Sequence, residues 1–534
     1  MLTTCLYYFL ICLYGALAAK NILFWLGIWQ SKEYRFDRLR DYFSTPEGRR
    51  SLFSKNLLGQ LLTTILALIL PFYILKVGII SLWGLVEILL YIKRFLSNNN
   101  PSLKVTHKAK LIILSSILTV ILFWREWGHD SAMKIALFPL IFAILPIFIV
   151  AWWGSFLKPF TAILKRYYYG EAEELARLYS NVKIVGITGS YGKTSVKEYA
   201  FQLLENFYKT NKTKKNLNTE MGLSQAIING DLKDQEVFVA EMAAYKVGEI
   251  KRLCQILPPD IAVITGIDEQ HNSLFGSIDK TLRAKSEIIF NAKKNATVIL
   301  NYDNEYLRSL KVPAENKVIT YALNNPADLT AEKIVMTENG LNFVLKFKDH
   351  SYNCETELIS EHNVLNLLSA TAITMSMGVD LEKIVPLFKE ILPPDKTLAI
   401  VRPTANLTIL DDSYNANPSG VKSGIKTLGS FVGHKILVLD DILELGEHTT
   451  RIHQELAQTI MASKPDLVML VGKNYADLLI KHLQSLNFPL DKVFKESKVG
   501  PLKAKEVLKQ SSLNKKTVIL FEGRRSENYL NFYL

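Results

Sequence analysis

The run GITGSYGKTS, Gly186 to Ser195, has the residue types and spacing to hold a nucleotide. Gly189 and Gly192 let backbone N–H groups turn toward phosphate oxygens, with Ser190 and Ser195 in the same run. Lys193 supplies a point charge to the outer phosphates, and Thr194 offers a hydroxyl to Mg²⁺ at a helix N-terminus. An apolar, strand-like KIV precedes the run and a helical pattern follows it, which is the context such a loop requires. The reading is an ATP or GTP user. The full P-loop pattern asks for a Gly five positions before Gly192, where this chain has Ile187. The bare GxxGKT therefore leaves a Gly-rich turn that binds nothing as its alternative.

The elements that must position this loop alternate. Strand-like runs at Lys183 to Thr188, Val237 to Glu241, Ile261 to Thr265, Thr297 to Leu300, Leu407 to Leu410, Lys435 to Leu439, Leu467 to Val471 and Thr517 to Phe521 are separated by helix-length segments. That pattern predicts α/β with mostly parallel sheets. LPPD, Leu392 to Asp395, marks a break before a second, smaller α/β unit, and a nucleotide between the two units would sit in a cleft that can close. The four cysteines, Cys5, Cys12, Cys254 and Cys354, form no CxxC pair, so neither a zinc site nor a disulfide framework is supported.

The first third is different. In 534 residues with 49% hydrophobic content, the apolar excess falls before residue 160. Apolar stretches run from Leu6 to Trp29, Leu57 to Leu75, Val77 to Ile92, Leu111 to Trp124 and Ile135 to Leu157. Set against the roughly 20 helical residues a bilayer needs, they count as five crossings. Lys76 and Gly78 divide the second from the third, and a tight hairpin or a re-entrant segment stays open there. Lys32, Arg35, Arg38, Arg40, Arg49, Arg50 and Lys55 fill the first loop and Lys93, Arg94, Lys104, Lys108 and Lys110 the third, which puts those loops in the cytoplasm and the N-terminus outside. The chain then emerges after Leu157 on the side where ATP is. A cleaved signal peptide is the rival reading of residues 1 to 19, but the segment lacks a basic start. The net charge of +12 lies largely in these juxtamembrane loops, so anionic membrane lipid accounts for it better than nucleic acid. Lys209, Lys212, Lys214 and Lys215 form a separate cluster, read as a solvated helix end.

Further motifs follow in order: NLNTEMGL (Asn216 to Leu223), VAEMAAYKVGEI (Val239 to Ile250), LRAKSEIIF (Leu282 to Phe290), HNVLN (His362 to Asn366), DDSYNANP (Asp411 to Pro418) and LELGEH (Leu443 to His448). From about residue 180 to the C-terminus this succession resembles the Mur ligase family, ATP-dependent amide ligases of bacterial cell-wall precursor synthesis, and within it the D-alanyl-D-alanine-adding branch. Composition gives an α-helical membrane bundle (1–160) followed by a linker helix (161–180), and the resemblance implies a P-loop central domain (181–394) and a Rossmann-like C-terminal ligase domain (395–534). Its implied cofactors are ATP and Mg²⁺. The implied partners are a muramyl-peptide carboxylate, UDP- or lipid-linked, and an amine such as D-Ala-D-Ala, with no nucleic acid.

Joining a carboxylate to an amine needs activation, because a carboxylate is a poor electrophile. Transfer of the γ-phosphoryl gives an acyl phosphate that the amine attacks, so the site needs metals and cations more than a protein nucleophile. Glu241 ends the run VFVAE, where a carboxylate can reach Mg²⁺ beside Thr194; a helix-start carboxylate is the plain alternative. By resemblance His271 is a second-metal ligand, with a plain surface loop residue as its alternative, and Lys285 is the lysine that CO₂ converts to a carbamate able to hold Mg²⁺, with an ordinary helix-surface lysine or a direct phosphate contact as its alternatives. Asn363 and Asn366, three apart on a helix, address one ligand, and the resemblance makes it the nucleotide; a helix N-cap at Asn363 stays open. By resemblance Asp412 orients the nucleotide, Tyr414, Asn415 and Asn417 shape the amine's entry, and Asn218 and Thr219 belong to the substrate side. An Asx-rich turn capping a helix is the alternative for the DDSYNANP segment.

Four departures put substrate identity in doubt. Lys396 and Thr397 stand where the branch usually has Gly-Arg, leaving Lys396 or Arg402 to replace the arginine. Asp440 replaces a Gly, and the usual KGSRS reads EGRRS, Glu522 to Ser526. Membrane helices also replace the UDP-sugar-binding domain. Two readings of other classes remain: a P-loop-driven transporter, which lacks an LSGGQ signature here, and a non-catalytic membrane scaffold.

Overall fold

The computed structural model describes residues 2–96, 104–127, 134, 136–214, 217–268, 277–337, 340–404, 406–414, 416–443, 445–512 and 516–533. It divides into two compact units, residues 1–164 and 165–534.

The first unit is helical: α1 (Leu2–Ser31), α2 (Phe36–Ser44), α3 (Pro46–Leu52), α4 (Lys55–Ile69), α5 (Tyr73–Leu96), α6 (His107–Trp127) and α7 (Phe138–Phe156). Leu10, Tyr14, Leu17 and Ile22 repeat at three- to five-residue spacing and bury one face of α1 against α5, α6 and α7. Among the described residues four helical segments are long and apolar enough to cross a membrane: Tyr8–Ser31, Pro46–Ile69, Leu75–Ile92 and Pro139–Leu178. That is one fewer than the five expected crossings. The stretch from Leu111 to Trp124 lies in α6, whose apolar run is bounded by Lys110 and Arg125 and is short of a full span. The division expected at Lys76 and Gly78 also moves. Both lie inside α5, and the chain breaks at residues 70–72 instead, where Pro71 cannot continue a helix. The first basic loop is folded into α2 and α3, with the Thr45 hydroxyl capping α3 by accepting from Gly48 N at 3.1 Å. Inside the bundle Glu87 is buried and accepts from Lys20, from Gln60 at 2.5 Å and from Asn56 at 3.5 Å.

The second unit follows within helix α8 (Lys158–Leu178) and holds two sheets. The first has nine strands in the order β2-β3-β1-β4-β5-β6-β7-β8-β9. They are β1 (Lys183–Thr188), β2 (Thr210–Lys212), β3 (Val237–Glu241), β4 (Ile261–Ile264), β5 (Thr297–Asn301), β6 (Lys317–Ala322), β7 (Leu329–Thr337), β8 (Gly340–Phe347) and β9 (His350–Thr356). β1 to β6 pair in parallel, and β1, β3, β4 and β5 at the centre are apolar on both faces, as a sheet covered by helices on each side requires. β7 to β9 extend it as an antiparallel meander that the sequence reading did not contain.

The second sheet runs β10-β11-β15-β12-β13-β14. Its strands are β10 (Ala399–Thr404), β11 (Leu407–Asp412), β12 (His434–Leu439), β13 (Leu467–Leu470), β14 (Val493–Lys495) and β15 (Thr517–Glu522), all parallel except the edge strand β10. Each of the eight strand-like runs read from the sequence lies on a strand. The lysine cluster is not a helix end. Lys212 lies in β2 and pairs with Glu198, Lys214 pairs with Asp231 at 2.9 Å, and Lys215 lies outside the described residues.

Candidate active site

β1 ends at Thr188, and the loop that follows turns into helix α9 (Lys193–Leu204). Ser190 N donates to Gly266 O at 2.7 Å, and the Ser190 hydroxyl accepts from Asp268 N at 3.1 Å, so the loop is tied to the segment after β4. Gly189 and Gly192 have φ of 150° and 74°. A methyl on Gly189 would sit 2.1 Å from Thr265 Oγ1, and one on Gly192 2.6 Å from Asn366 Oδ1. Only glycine fits both the conformation and the space. Lys193 curls back over the loop, donating from Nζ to Gly189 O at 2.7 Å and Ser190 O at 3.3 Å. Withdrawal from water lowers its pKa, opposed by the charge of Glu241. Ser195 is half-buried in the first turn of α9.

The carboxylate that opposes it ends β3. Glu241 Oε2 accepts from Thr194 Oγ1 at 3.1 Å and Oε1 from Asn218 Nδ2 at 2.8 Å, while Lys197 Nζ lies 3.7 Å from Oε2. Thr213 Oγ1 takes the backbone N–H of Glu241 at 3.0 Å and fixes the strand end. Thr219, next to Asn218, caps helix α10 (Glu220–Ile228), its hydroxyl accepting from Gly222 N at 3.4 Å. Lys285 projects from helix α11 (Ile278–Phe290), where it is buried and donates to Ala244 O at 3.1 Å. Burial, and after it the charge of Lys193, pull its pKa well below the ordinary lysine value. A surface lysine is thereby excluded.

The two asparagines of HNVLN part company. Helix α12 (Glu361–Ser376) is capped by Ser360 rather than Asn363. Asn363 faces the core, accepting from Tyr199 OH at 3.0 Å and donating to Ile359 O at 2.8 Å. Asn366 instead presses its Oδ1 toward Gly192, and its buried Nδ2 has no hydrogen-bond partner among the described residues. The amides do not converge on one ligand; Asn366 alone faces the phosphate loop. An orphaned buried donor beside a glycine cradle is what a polar ligand held in the loop would satisfy.

The second sheet brings up its own edge. β11 ends at Asp411 and Asp412, Tyr414 N donates to Lys396 O at 3.0 Å, and Asn417 Oδ1 caps helix α13 (Pro418–Ser430) by accepting from Gly420 N at 2.8 Å. Ser419 Oγ reaches Asp268 Oδ2 at 2.5 Å, joining the cap of α13 to the segment that braces the phosphate loop. Burial and then the Glu241 charge raise the pKa of the Tyr414 phenol, so it faces the same carboxylate.

Sequence profiles of the Mur ligase middle domain and of the Mur ligase glutamate ligase domain match residues 187–374 and 398–525. A UDP-N-acetylmuramoyl-tripeptide–D-alanyl-D-alanine ligase of Buchnera aphidicola subsp. Baizongia pistaciae is 32% identical over 366 residues, covering 67% of this chain and 76% of that protein. The chain belongs to the Mur ligase family. An Escherichia coli K12 protein of the same name is 30% identical, covering 57% of this chain and 68% of its own. Among solved structures, MurF from Thermotoga maritima in complex with ADP aligns with a TM-score of 0.60 and 27% identity over 69% of this chain and 83% of that one. MurF from Acinetobacter baumannii aligns at 0.61 and 25%, over 69% and 80%. Mur ligases are ATP-dependent enzymes that form C–N bonds, and this chain is one of them.

Several positions differ from the Mur ligase expectation. Lys396 does not stand in for the missing arginine at the nucleotide, because its ammonium pairs with Glu527 at 2.8 Å; the side chain of Arg402 lies outside the described residues. His271 and Asn415 also lie outside them. Among the described residues no three His, Cys, Asp or Glu side chains form a metal cage. One carboxylate beside one hydroxyl suits Mg²⁺, which keeps waters and takes phosphate oxygens. The sequence reading missed Lys197, Thr213 and Thr265. Thr265 ends a strand-like run just as Glu241 does, a signal that could have found it.

Proposed function

We propose that this Mur ligase joins D-alanyl-D-alanine to the carboxylate of a UDP-linked muramyl tripeptide at the expense of ATP, in peptidoglycan precursor synthesis. The observation that carries the reading is the convergence of Thr194 and Asn218 on Glu241 directly beside Lys193 in its glycine loop. It is supported by the substrates in the names of the Buchnera and Escherichia coli relatives and by the ADP of the Thermotoga structure.

In this reading Gly189 to Ser195 and Asn366 hold the ATP phosphates, Asp412 orients the nucleotide, and Thr194 with Glu241 holds Mg²⁺. Bound Mg²⁺ neutralises charge on the phosphoryl oxygens. Lys193 binds the transferred phosphoryl group. Lys285, whose charged form burial disfavours, is disposed to form a carbamate, and His271 is assigned to a second metal. Asn218 holds Glu241 in place and Thr219 orders the α10 start on the substrate side, while Tyr414, Asn415 and Asn417 border the amine. Residues 181–394 and 395–534 act as the two ligase domains. Residues 1–160 form a membrane bundle and 161–180 its linker, a placement supported by the four apolar helical segments and the basic segments between them. The ligase part then faces the cytoplasm, with anionic lipid as a membrane partner.

Incubating detergent-purified protein with ATP, Mg²⁺, D-alanyl-D-alanine and either UDP- or lipid-linked muramyl tripeptide, and reading products by mass, tests this. The expected result is amine-dependent phosphate release with the UDP-linked product, absent in Lys193→Ala. Product from the lipid-linked acceptor alone overturns the substrate assignment, and no product with either overturns the ligase.

A further inference from the structure

Glu522 ends β15 in the middle of the second sheet, where parallel register sets it directly beside Asp412 of β11. Its side chain is fully buried, and among the described residues neither carboxyl oxygen meets a hydrogen-bond donor. A methyl on Gly424 of α13 would lie 2.8 Å from Glu522 Oε2 and 3.7 Å from Asp412 Oδ2, so both carboxyls crowd the same spot beneath the helix. The group facing Glu522 is therefore another acceptor. Two such groups can bond only if one of them carries a proton.

The surrounding charges do not relieve the pair. Asp411, from the same strand, adds a third carboxyl, with Oδ1 accepting Ser413 N at 3.0 Å. From β12, Asp440 N donates to Glu522 O at 2.9 Å, while the Asp440 carboxylate takes Arg525 N at 3.0 Å. The Arg525 guanidinium lies 3.4 Å from Asp441 and 3.8 Å from Asp440. Arg524 donates to Tyr414 O at 3.2 Å, Lys396 pairs with Glu527, and Lys422 of α13 pairs with Glu455. Tyr199, from α9, is neutral and faces Asp412. Among the described residues no cation lies within ion-pair distance of Asp411, Asp412 or Glu522. Burial first, and the neighbouring carboxyls second, raise the pKa of both Asp412 and Glu522.

We propose that Glu522 is a positioning residue that holds Asp412 through one shared proton, replacing the lysine that the family motif places at this position. The inference rests on the assignment of Asp412 to the nucleotide. Glu522 stays protonated and donates to Asp412, whose carboxylate also takes the Leu398 N–H and has acceptor sites left for the ligand. Loss of the shared proton at alkaline pH leaves two buried anions side by side, which pushes the Asp412 carboxylate away from its binding position. The sign follows the raised pKa of Glu522: the shared-proton state lies between the pair's two ionisations and is lost as pH rises through the second.

The test uses the full chain in detergent with ADP as the probe. Infrared difference spectra of wild type against Glu522→Gln at neutral pH are expected to show the carbonyl stretch of a protonated carboxyl that only the wild type has. ADP affinity of the wild type is expected to fall by up to roughly tenfold per pH unit above the pair's ionisation. Glu522→Gln, which keeps a donor without a titrating proton, removes that dependence and binds ADP more tightly than Glu522→Leu. A missing carbonyl difference, or parallel pH profiles for wild type and Glu522→Gln, overturns the proposal. The spectrum reads the proton whether or not the protein ligates, so a carbonyl band without amine-dependent phosphate release would fault the ligase reading and leave the pair standing.

Discussion

Asn218 donates its side-chain amide to the Glu241 carboxylate across 2.8 Å, linking the segment before α10 to the end of β3. With Thr194 on the other oxygen, the carboxylate is held from both sides and can turn neither way. Glu241→Gln is therefore expected to fold, since Gln keeps an acceptor for Thr194, and to lose turnover by roughly 100-fold. Asn218→Ala should cost about 10- to 100-fold through misplacement of Glu241. Steady-state phosphate release with circular dichroism as the folding control checks both, and near-normal turnover in Glu241→Gln would remove Glu241 from the metal site.

Lys285 donates to Ala244 O from a buried position in which its charged form is disfavoured. An uncharged lysine can add CO₂, so Lys285→Ala is expected to lose most activity and regain part of it with added acetate or formate. Full activity without additives would show that the lysine is incidental.

His362 packs its ring 5.5 Å from that of Tyr191, and burial lowers its pKa to about 4 from 6.5. The native state refuses a proton that the unfolded chain accepts, so stability is complete above about 6.5 and falls as pH drops through that window toward 4. The loss is up to roughly 3 kcal/mol, and His362→Gln should flatten it. Thermal melts of wild type and variant between these two pH values decide; identical slopes contradict the assignment.

The topology can be read in intact cells. In a background lacking Cys5 and Cys12, a cysteine replacing His129 is expected to react with a membrane-impermeant thiol reagent, and one replacing Glu47 to be protected. The reverse pattern would put the ligase part on the side without ATP.

Much of this was legible in the sequence for a local reason. A phosphate loop is one contiguous strand–turn–helix, and its glycines, lysine and threonine must follow in order, so GITGSYGKTS announced it. Parallel strands buried on both faces read as apolar runs, which is why eight of them stood out. Helices apolar enough to span a membrane also declare themselves by composition, but their ends are set by breakers and charge: Pro71 moved one break, and Lys110 with Arg125 left α6 short and lowered the count.

Only the tertiary structure decided which side chains meet. Asn363 and Asn366 share a helix face by spacing, yet Tyr199 draws one into the core while Gly192 receives the other. Lys396 looked like a replacement for an arginine until Glu527, 131 residues away, took its charge. Glu522 looked like a lost lysine, and strand register made it the partner of Asp412. Spacing along a chain determines local direction. Whether a polar group is free for a ligand depends on which distant group satisfies it first, and that is settled by packing.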